Sequence, residues 1–418
     1  MPDQNTPDMQ LIAFKGLIEH ILNHCRRVLQ HINPIFQRAG VDYFTHFYLI
    51  INKLIVVEAM SKLEIRESPD AVTTYEMYRA IKEIKKLKKS IPKEHRQQLQ
   101  MANFHKCFQR NVNQWIDLAT ERCRSRIKQA IELDTVVQVT EDVQFSSSAV
   151  DGTEFLLLLM KLSDELEWPA KAEAFTFKIF VVKSVCECAL FYVSEVYNRL
   201  RPEDMFNQQG NFRATEKLSI VLNNMQHIKT VIMKHLMEHS LEQSGKKLTE
   251  EEQDIQTHSK EVMGTIIQSA GEDISTKLAS IICQIILKIS PDITALIEAI
   301  VERKTPTTSL EMSVRVTVSC MCIEIDCLII SMQVIDPLMS YLASNLHTLG
   351  NHLLTPVFQL ILTDMWCMSS DCLQRVLNSD AAKKSSDRSQ YTIQRSNSSY
   401  RASESSSMLM VLGSTWRA

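Results

Sequence analysis

Glycine is nearly absent from a long part of this chain, and its absence limits the folds that the chain can adopt. Between Gly40 and Gly210 there is one glycine, Gly152, and there are four prolines. Sheet proteins use glycine at hairpins and bulges, and α/β enzymes use it where strand ends turn towards phosphates or substrates. Helix interiors exclude glycine, because each one costs about 1 kcal/mol relative to alanine. The sequence therefore predicts long helices with short connections, and it disfavours an active site built on loops.

Apolar residues recur at steps of three and four along most of the chain, which is the pattern of amphipathic helices. We predict helices, in chain order, over Met9–Ile32, Asp42–Leu63, 70–90, 94–133, Phe145–Glu167, Glu173–Leu200, Ala214–His239 and 249–289. No repeat of the usual solenoid classes stands out. The expected fold class is therefore all-α, an elongated stack of antiparallel helical bundles.

Local signals predict where several of these helices begin and end. Ser68 is the expected N-cap of the third helix, and Thr249 to Glu252 form a capping box before the last. Thr135–Gln144 is rich in β-branched residues and is expected to be a short extended connector. We expect a break near Gly271, and Pro291, Pro306, Pro337 and Pro356 to separate the later helices.

Composition narrows the function classes. The chain has 418 residues, 45% of them hydrophobic, and its net charge of −3 implies neither nucleic acid nor an anionic membrane as a partner. The start of the chain lacks the pattern of a signal peptide. The most apolar stretches, Leu278–Leu287 and Ile323–Ile335, are too short or carry acidic residues, whereas a bilayer span needs about 20 apolar residues. We expect a soluble, cytoplasmic protein.

Two groups of residues have the composition of metal sites. One group consists of cysteines inside apolar helical runs: Cys186 and Cys188, and further along Cys320, Cys322 and Cys327. Residues i and i+2 of a helix face different directions, so we interpret these cysteines as buried structural thiols. His235, Glu238 and His239 match an inverted zinc-protease pattern, but no third ligand motif follows them. A zinc hydrolase is therefore a remote alternative. No P-loop, dinucleotide fingerprint or nucleophile elbow is present, so we expect no enzyme, cofactor, metal or small-molecule substrate.

The third helix carries a row of lysines. Lys82, Lys85, Lys86 and Lys89 lie opposite an apolar stripe that includes Ile81 and Ile84. This basic face is either a solvated surface or a docking site for an acidic helix or anionic headgroups.

Three stretches resemble the MUN domain of the Unc-thirteen family of exocytosis proteins. They are Phe145-Ser-Ser-Ser-Ala-Val-Asp151 continuing to Leu166-Glu-Trp-Pro169, Ile220-Val-Leu-Asn-Asn-Met-Gln-His-Ile228, and Val334-Ile-Asp-Pro-Leu-Met-Ser-Tyr-Leu-Ala-Ser-Asn-Leu346. A further match surrounds Trp115. Asn223, Asn224 and Asn345 of these stretches are expected to bond backbone groups near helix ends.

The resemblance implies a domain order. Residues 1–49 would be the N-terminal helical part of a MUN-like domain, and 50–201 the first Munc homology region. Residues 202–310 would be an intermediate bundle, and 311–378 an incomplete second homology region. From 379 to 418 the chain becomes rich in serine, and we predict a disordered tail. The calcium- and lipid-binding modules that flank the domain in the family do not occur in this sequence.

The resemblance also implies a function. Members of the family bind SNARE helices, especially syntaxin with its clasping partner, and prime or tether vesicles without catalysis. The expected location is cytoplasmic or peripheral at a vesicle or plasma membrane, with possible contact to anionic lipid. The alternative is a subunit of a general multisubunit tethering complex.

Specific residues follow from the same resemblance. In well-known members an Asn and a Phe, three residues apart on one helix, carry the activity. Those positions fall at Tyr75 and Tyr78, or one residue earlier at Thr74 and Met77, so the aromatic feature is kept in part and the Asn is absent. The predicted protein-binding residues are Tyr75, Met77, Tyr78, Lys82, Lys85, Lys86 and Lys89, although Tyr75 and Tyr78 could also be core residues.

Overall fold

The computed structural model describes residues 7–64, 70–140, 142–200, 211–241, 249–303 and 322–377, and nearly all of them are helical. The α-helices are α1 (Pro7–Arg27), α2 (Asn33–Gln37), α3 (Tyr43–Glu64), α4 (Ala71–Lys86), α5 (Val112–Leu133), α6 (Ser147–Leu166), α7 (Lys171–Arg199), α8 (Glu216–Val231), α9 (Met237–Leu241), α10 (Glu250–Arg303), α11 (Cys322–His352) and α12 (Thr355–Leu377). The all-α class is confirmed. The predicted tail, Ser68 and Pro306 lie outside the described residues.

The chain divides into two compact units that interleave along the sequence. The first holds the residues up to Arg199 together with Asn224–Thr276, and the second holds Leu200–Asn223 and the residues from Lys277 onwards. In the first unit α1 packs on α4, and α5 packs on both α6 and α7. In the second unit α11 packs on α12. The homology-region boundaries stay predictions.

The predicted helix over 94–133 is wrong in its first part. Residues Lys93–Gln98 and Gln100–Asn111 form 3₁₀ helices, and the regular helix α5 begins only at Val112. Leu99, between the two 3₁₀ segments, has an extended backbone (φ −77°, ψ 115°), so the chain turns there. The apolar spacing did not distinguish the two helix types because i and i+3 lie on one face in both.

The extended connector before α6 is a β-hairpin. Strands β1 (Gln138–Thr140) and β2 (Val143–Ser146) pair antiparallel, with a bulge between the two registered pairs. Asp134 fixes the base of the hairpin, because its carboxylate accepts hydrogen bonds from Ser146 Oγ (2.5 Å) and Ser148 Oγ (2.6 Å). Buried hydroxyls of this kind require such partners.

Helix α10 continues through two positions, Gly271 and Pro291, at which the sequence predicts breaks, so both predictions are wrong. It runs unbroken through Gly271, where an added Cβ would lie 2.5 Å from Met233 Sδ, so this glycine permits close packing. It also contains Pro291 in its interior. The carbonyl that Pro291 cannot bond belongs to Leu287, whose side chain is 66% exposed, so water can reach that side of the helix. Pro337 likewise lies inside α11, whereas Pro356 stands at the start of α12.

By length and apolar composition alone, α10 could cross a bilayer. Its burial pattern in the structure is amphipathic, with 33% of the most apolar stretch buried. Ile281, Ile285 and Ile289 are buried on one face, whereas Gln284 and Lys288 are exposed between them.

The interpretation of the cysteines as buried thiols is confirmed where side chains are described. Cys186 and Cys188 are 3% and 0% exposed. Burial raises the pKa of the Cys186 thiol to about 12, so it stays protonated and unreactive. Nothing is described of the side chains of Cys320, Cys322 and Cys327.

Candidate protein-binding site

The residues predicted to bind a partner lie on α4, whose start is fixed by Asp70. The Asp70 carboxylate accepts a hydrogen bond from the Thr73 backbone N–H at 2.7 Å, so Asp70 is the N-cap that we assigned to Ser68. Ile81 and Ile84 are fully buried, which confirms the apolar stripe. The helix passes into a 3₁₀ turn, Leu87–Ser90, before Pro92.

Met77 and Tyr78 are core residues. Met77 is 0% exposed and Tyr78 is 1% exposed. The Tyr78 hydroxyl donates a hydrogen bond of 2.6 Å to the carbonyl oxygen of Leu166, at the C-terminus of α6. Burial raises the pKa of Tyr78, which keeps this donor protonated. Of the two readings that the sequence left open, the structure fits the core role for Tyr78.

Tyr78 belongs to an aromatic junction between α4 and the end of α6. Its ring centroid lies 5.7 Å from that of Trp168 and 5.3 Å from that of Trp115. The rings of Phe104 and Phe108 lie 5.4 and 5.5 Å away. Offset and edge-to-face pairs of this kind each contribute about 0.5–1.5 kcal/mol beyond their buried area. In the sequence Trp168 stands only within a stretch that resembles the MUN domain, and nothing there predicted this junction.

Tyr75 lies at the rim of the aromatic junction. Its ring packs edge-on against Trp115 with centroids 5.4 Å apart, and its hydroxyl donates to Glu165 Oε2 at 3.3 Å. Burial, together with the Glu165 carboxylate, raises the pKa of Tyr75 to about 12. Trp115 is itself fixed by a hydrogen bond from its Nε1 to Thr74 Oγ1 at 2.9 Å.

Two of the four predicted lysines make ion pairs within the fold. Lys82 Nζ and Lys86 Nζ lie 3.6 and 3.1 Å from Glu167 Oε1, and Lys82 also donates to the Glu165 carbonyl. Glu167 caps α6 in the left-handed region, with φ 46°. Burial alone would raise the pKa of Glu167, but the hydrogen bond from Lys86 and the charge of Lys82 outweigh it and lower that pKa.

The other two lysines have different surroundings. Lys85 is half-buried, and its Nζ lies 5.1 Å from the centroid of the Phe104 ring, which is a cation–π contact. Lys89 is exposed in the 3₁₀ turn. The outward basic surface is therefore smaller than predicted. It comprises Lys88 and Lys89, together with the partly exposed Lys86, which pairs with Glu83 and Glu167.

The histidine motif does not form a metal centre among the described residues. His239 Nε2 lies 2.9 Å from Asp164 Oδ2, whereas His235 Nδ1 lies 3.5 Å from Glu238 Oε2. His235 sits in a π-helical turn, Ile232–Leu236, which changes the spacing of its neighbours around the axis. No group of three or more potential ligand side chains occurs in the described part of the chain. This geometry does not support the zinc hydrolase hypothesis.

The three asparagines bond backbone groups as predicted. Asn224 Oδ1 accepts from the Ser146 backbone N–H at 2.9 Å, in the first unit. In the second unit, Asn223 Oδ1 accepts from Leu354 N at 2.8 Å and Asn345 Oδ1 from Ala214 N at 2.8 Å. These bonds join segments that are far apart in sequence, so the asparagines hold the tertiary fold.

Comparison with known proteins gives the same family. The MUN domain model matches residues 81–399. Protein unc-13 homolog 4B of Drosophila melanogaster is 27% identical over 270 residues, which cover 59% of this chain and 23% of that protein. Protein unc-13 homolog D of Rattus norvegicus is 25% identical over 227 residues, covering 53% and 20%. BAI1-associated protein 3 of Homo sapiens is 26% identical over 195 residues, covering 46% and 16%. The chain thus spans less than a quarter of the length of these relatives.

Proposed function

The chain belongs to the MUN domain family, and on this premise we propose that it is a non-enzymatic helical scaffold in regulated vesicle exocytosis. It binds syntaxin-type SNARE helices and their clasping partner, and so primes or tethers vesicles. It acts in the cytoplasm or at the face of a vesicle or plasma membrane. The family membership supports the general role, and the surface of α4 supports the binding step.

The observation that carries the binding step is the basic surface at the end of α4. Lys88 and Lys89 are exposed there. Lys86, whose side chain is 44% exposed, lies beside them, with its Nζ 2.9 Å from Glu83 Oε1 and 3.1 Å from Glu167 Oε1. An acidic helix approaching this surface gains favourable electrostatic energy and a faster association rate, both reduced by salt. Because α4 is fixed to α6 by the aromatic junction, the surface presents its charges on a rigid support.

A scaffold of this kind acts by population shift. Binding changes the equilibrium between closed and open partner only to the extent that the affinities for the two forms differ. A tenfold preference for the open form corresponds to about 1.4 kcal/mol. We therefore expect tighter binding to an open syntaxin-type helix than to one held closed.

The test is a titration of the full chain with a syntaxin-type cytosolic fragment. The variant Lys86→Gln/Lys89→Glu should weaken binding about five- to tenfold at low salt, and less at high salt. The matched control Lys128→Glu/Lys161→Gln changes the net charge equally at exposed positions of α5 and α6. Equal loss in both variants, or no binding by the unmodified chain, would contradict the proposal. Tyr78→Ala is unsuitable, because it would remove a buried side chain and test folding.

A second function, assembly into a multisubunit tethering complex, is favoured by α3. Its residues Ile50, Leu54 and Val57 follow one face and are 62, 55 and 54% exposed. Apolar stripes of this kind on a helix are covered when helical subunits associate. Copurification of a stoichiometric complex that is lost in Ile50→Glu/Leu54→Glu, but kept in the lysine variant, would favour this function over SNARE binding.

A further inference from the structure

A small cavity lies where α3, the 3₁₀ turn after α4 and the 3₁₀ segments before α5 meet. Its volume is about 70 Å³, and its polar lining comprises Tyr48, Asn52, Lys85, Lys88 and Arg96. Leu99 and Met101 complete the wall. None of these described lining side chains is acidic, so the cavity is lined by hydrogen-bond donors and positively charged groups.

Asn52, in the wall of the cavity, has a side-chain amide of fixed orientation. Asn52 is 2% exposed, and its Oδ1 accepts hydrogen bonds from the backbone N–H groups of Gln100 (2.8 Å) and Met101 (3.2 Å). A flipped amide would place its NH₂ group against these two donors, so the orientation is determined by the hydrogen bonds. The buried Nδ2 has no hydrogen-bond partner. Leaving such a donor unpaired is energetically unfavourable.

The cations around the cavity are also held in place. Arg96 donates from Nε to the Ile91 carbonyl (2.8 Å) and from Nη2 to the Lys89 carbonyl (3.0 Å), which fixes its guanidinium plane. Burial, and then the charge of Lys88, lower the pKa of Lys85. An anion between the two lysines would relieve their mutual repulsion.

We propose that this cavity binds the phosphate monoester group of an inositol phosphate. A phosphate presents several strong acceptor oxygens, and the Asn52 amide, the Arg96 guanidinium and the two lysine ammonium groups supply matching donors. The cavity is large enough for one such group, so the rest of the ligand lies outside, next to the exposed side chains of Lys88 and Lys89. The group can belong to a soluble inositol phosphate or to a lipid headgroup. The inference does not rest on SNARE binding, although Lys88, in the cavity wall, and Lys89, next to it in sequence, also belong to the basic surface.

The experiment is isothermal titration of the full chain with inositol 1,4,5-trisphosphate, compared with inorganic phosphate. Asn52→Asp keeps an oxygen that accepts from the two backbone N–H groups but replaces the Nδ2 donor by a negatively charged oxygen. It should weaken binding by at least about tenfold, because one charge-assisted bond becomes a repulsion. Lys88→Gln, at an exposed position, should weaken it about three- to tenfold. The control Lys128→Gln removes the same charge far along the sequence on α5 and should have no effect.

Vesicles distinguish the two sources of the phosphate. Binding of the chain to vesicles that contain phosphatidylinositol bisphosphate is compared with its binding to phosphatidylserine vesicles of equal surface charge. Binding of the trisphosphate and selective binding of the first vesicles indicate a lipid headgroup, whereas binding of the trisphosphate alone indicates a soluble ligand. No binding of the trisphosphate, or equal losses in Lys88→Gln and Lys128→Gln, overturns the proposal. If Asn52→Asp fails to fold, as judged by near-UV circular dichroism, Lys88→Gln decides.

Discussion

Gly152, the one glycine of the long glycine-poor part of the chain, lies in the second turn of α6 against Tyr192 of α7. An added Cβ would lie 3.2 Å from Tyr192 Cδ2 and 3.3 Å from its Cε2. The ring is 0% exposed, and its hydroxyl lies 2.9 Å from Ser148 Oγ, so it has little freedom to move. The glycine therefore allows α6 and α7 to approach closely.

Two glycine substitutions test this explanation. We expect Gly152→Ala to lower the free energy of unfolding by about 1 kcal/mol, because overpacking of about 1–3 kcal/mol exceeds a helix-propensity gain of about 1 kcal/mol. Gly16→Ala is the control, since nothing lies within 4 Å of a Cβ at that position of α1. It should raise the free energy of unfolding by about 0.5–1 kcal/mol. Urea unfolding measures both, and stabilisation by Gly152→Ala would contradict the packing argument.

Asp70 makes the stability of α4 depend on pH. Its hydrogen bonds with the Thr73 side chain and backbone lower the pKa of its carboxyl below the ordinary value of 3.8. The stabilising contribution is therefore complete above that ordinary value and is lost as pH falls through the lowered pKa.

The pH dependence separates two variants of Asp70. Asp70→Ala should lower the free energy of unfolding by about 1 kcal/mol at pH 7, and this difference should shrink below about pH 4. Asp70→Asn keeps an N-cap that does not titrate, so the unmodified chain should lose stability relative to this variant as pH falls below about 4. Urea unfolding from pH 3 to 7 measures both differences. A constant difference over this range would contradict the assignment.

At the scale of elements, the C-terminus of α6 determines how α4 is held. Glu167 adopts a left-handed conformation that disfavours residues with a Cβ, and its carboxylate pairs with Lys82 and Lys86. This backbone conformation places the Glu167 carboxylate next to the two lysines, so the ion pairs offset part of the backbone strain. Neither apolar spacing nor the presence of Trp168 and Pro169 indicated this arrangement.

Glu167→Gly and Glu167→Ala separate the backbone strain from the ion pairs. Glycine relieves about 1 kcal/mol of strain and loses exposed ion pairs worth about 0–1 kcal/mol, so we expect stability within about 0.5 kcal/mol of the unmodified chain. Alanine keeps the strain and loses the pairs, so it should be less stable than the glycine variant by about 1 kcal/mol. Thermal unfolding of both variants measures this difference. Equal stabilities would show that the backbone at residue 167 is not strained.

At the scale of the whole molecule, the first unit is completed by residues far along the chain. Asn224 bonds Ser146, and Ile228, Ile232 and Ile267 are fully buried. A fragment of residues 1–200 therefore lacks part of the core of its own unit, whereas residues 1–276 contain all of it.

We expect the 1–276 fragment to unfold cooperatively and the 1–200 fragment to lack a cooperative transition. The missing helices leave buried apolar positions open to water, at a cost of about 1.5–3 kcal/mol for each large side chain. Near-UV circular dichroism and urea titration of the two purified fragments measure the difference. A cooperative transition of the 1–200 fragment at the same urea concentration would show that the later helices are not part of this unit.

Sequence pattern predicted the helices well where packing and helix geometry agree. The scarcity of glycine and the apolar spacing predicted α1, α3, α6 and α7 to within a few residues at most boundaries, because these signals depend on contacts along one helix. The Thr249–Glu252 capping box is confirmed by reciprocal bonds, with Thr249 N donating to Glu252 Oε2 at 3.0 Å and Glu252 N to Thr249 Oγ1 at 3.3 Å. Asn223, Asn224 and Asn345 bond backbone groups as expected, although the sequence could not identify which groups.

The tertiary structure decided the features that depend on residues distant in sequence. Tyr78, Lys82 and Lys86 share α4. Contacts with the end of α6 bury Tyr78, whereas Lys82 and Lys86 both pair with Glu167 and Lys86 stays partly exposed. The roles of Gly271 and Gly152 could not be determined from the sequence, because a glycine that ends a helix cannot be distinguished there from one that makes room for a neighbouring side chain. The sequence by itself determined an all-α chain and its family, since helix periodicity and matched motifs are local. Only the packing of the helices determined which side chains remain for a partner, because burial depends on what the rest of the chain places against each face.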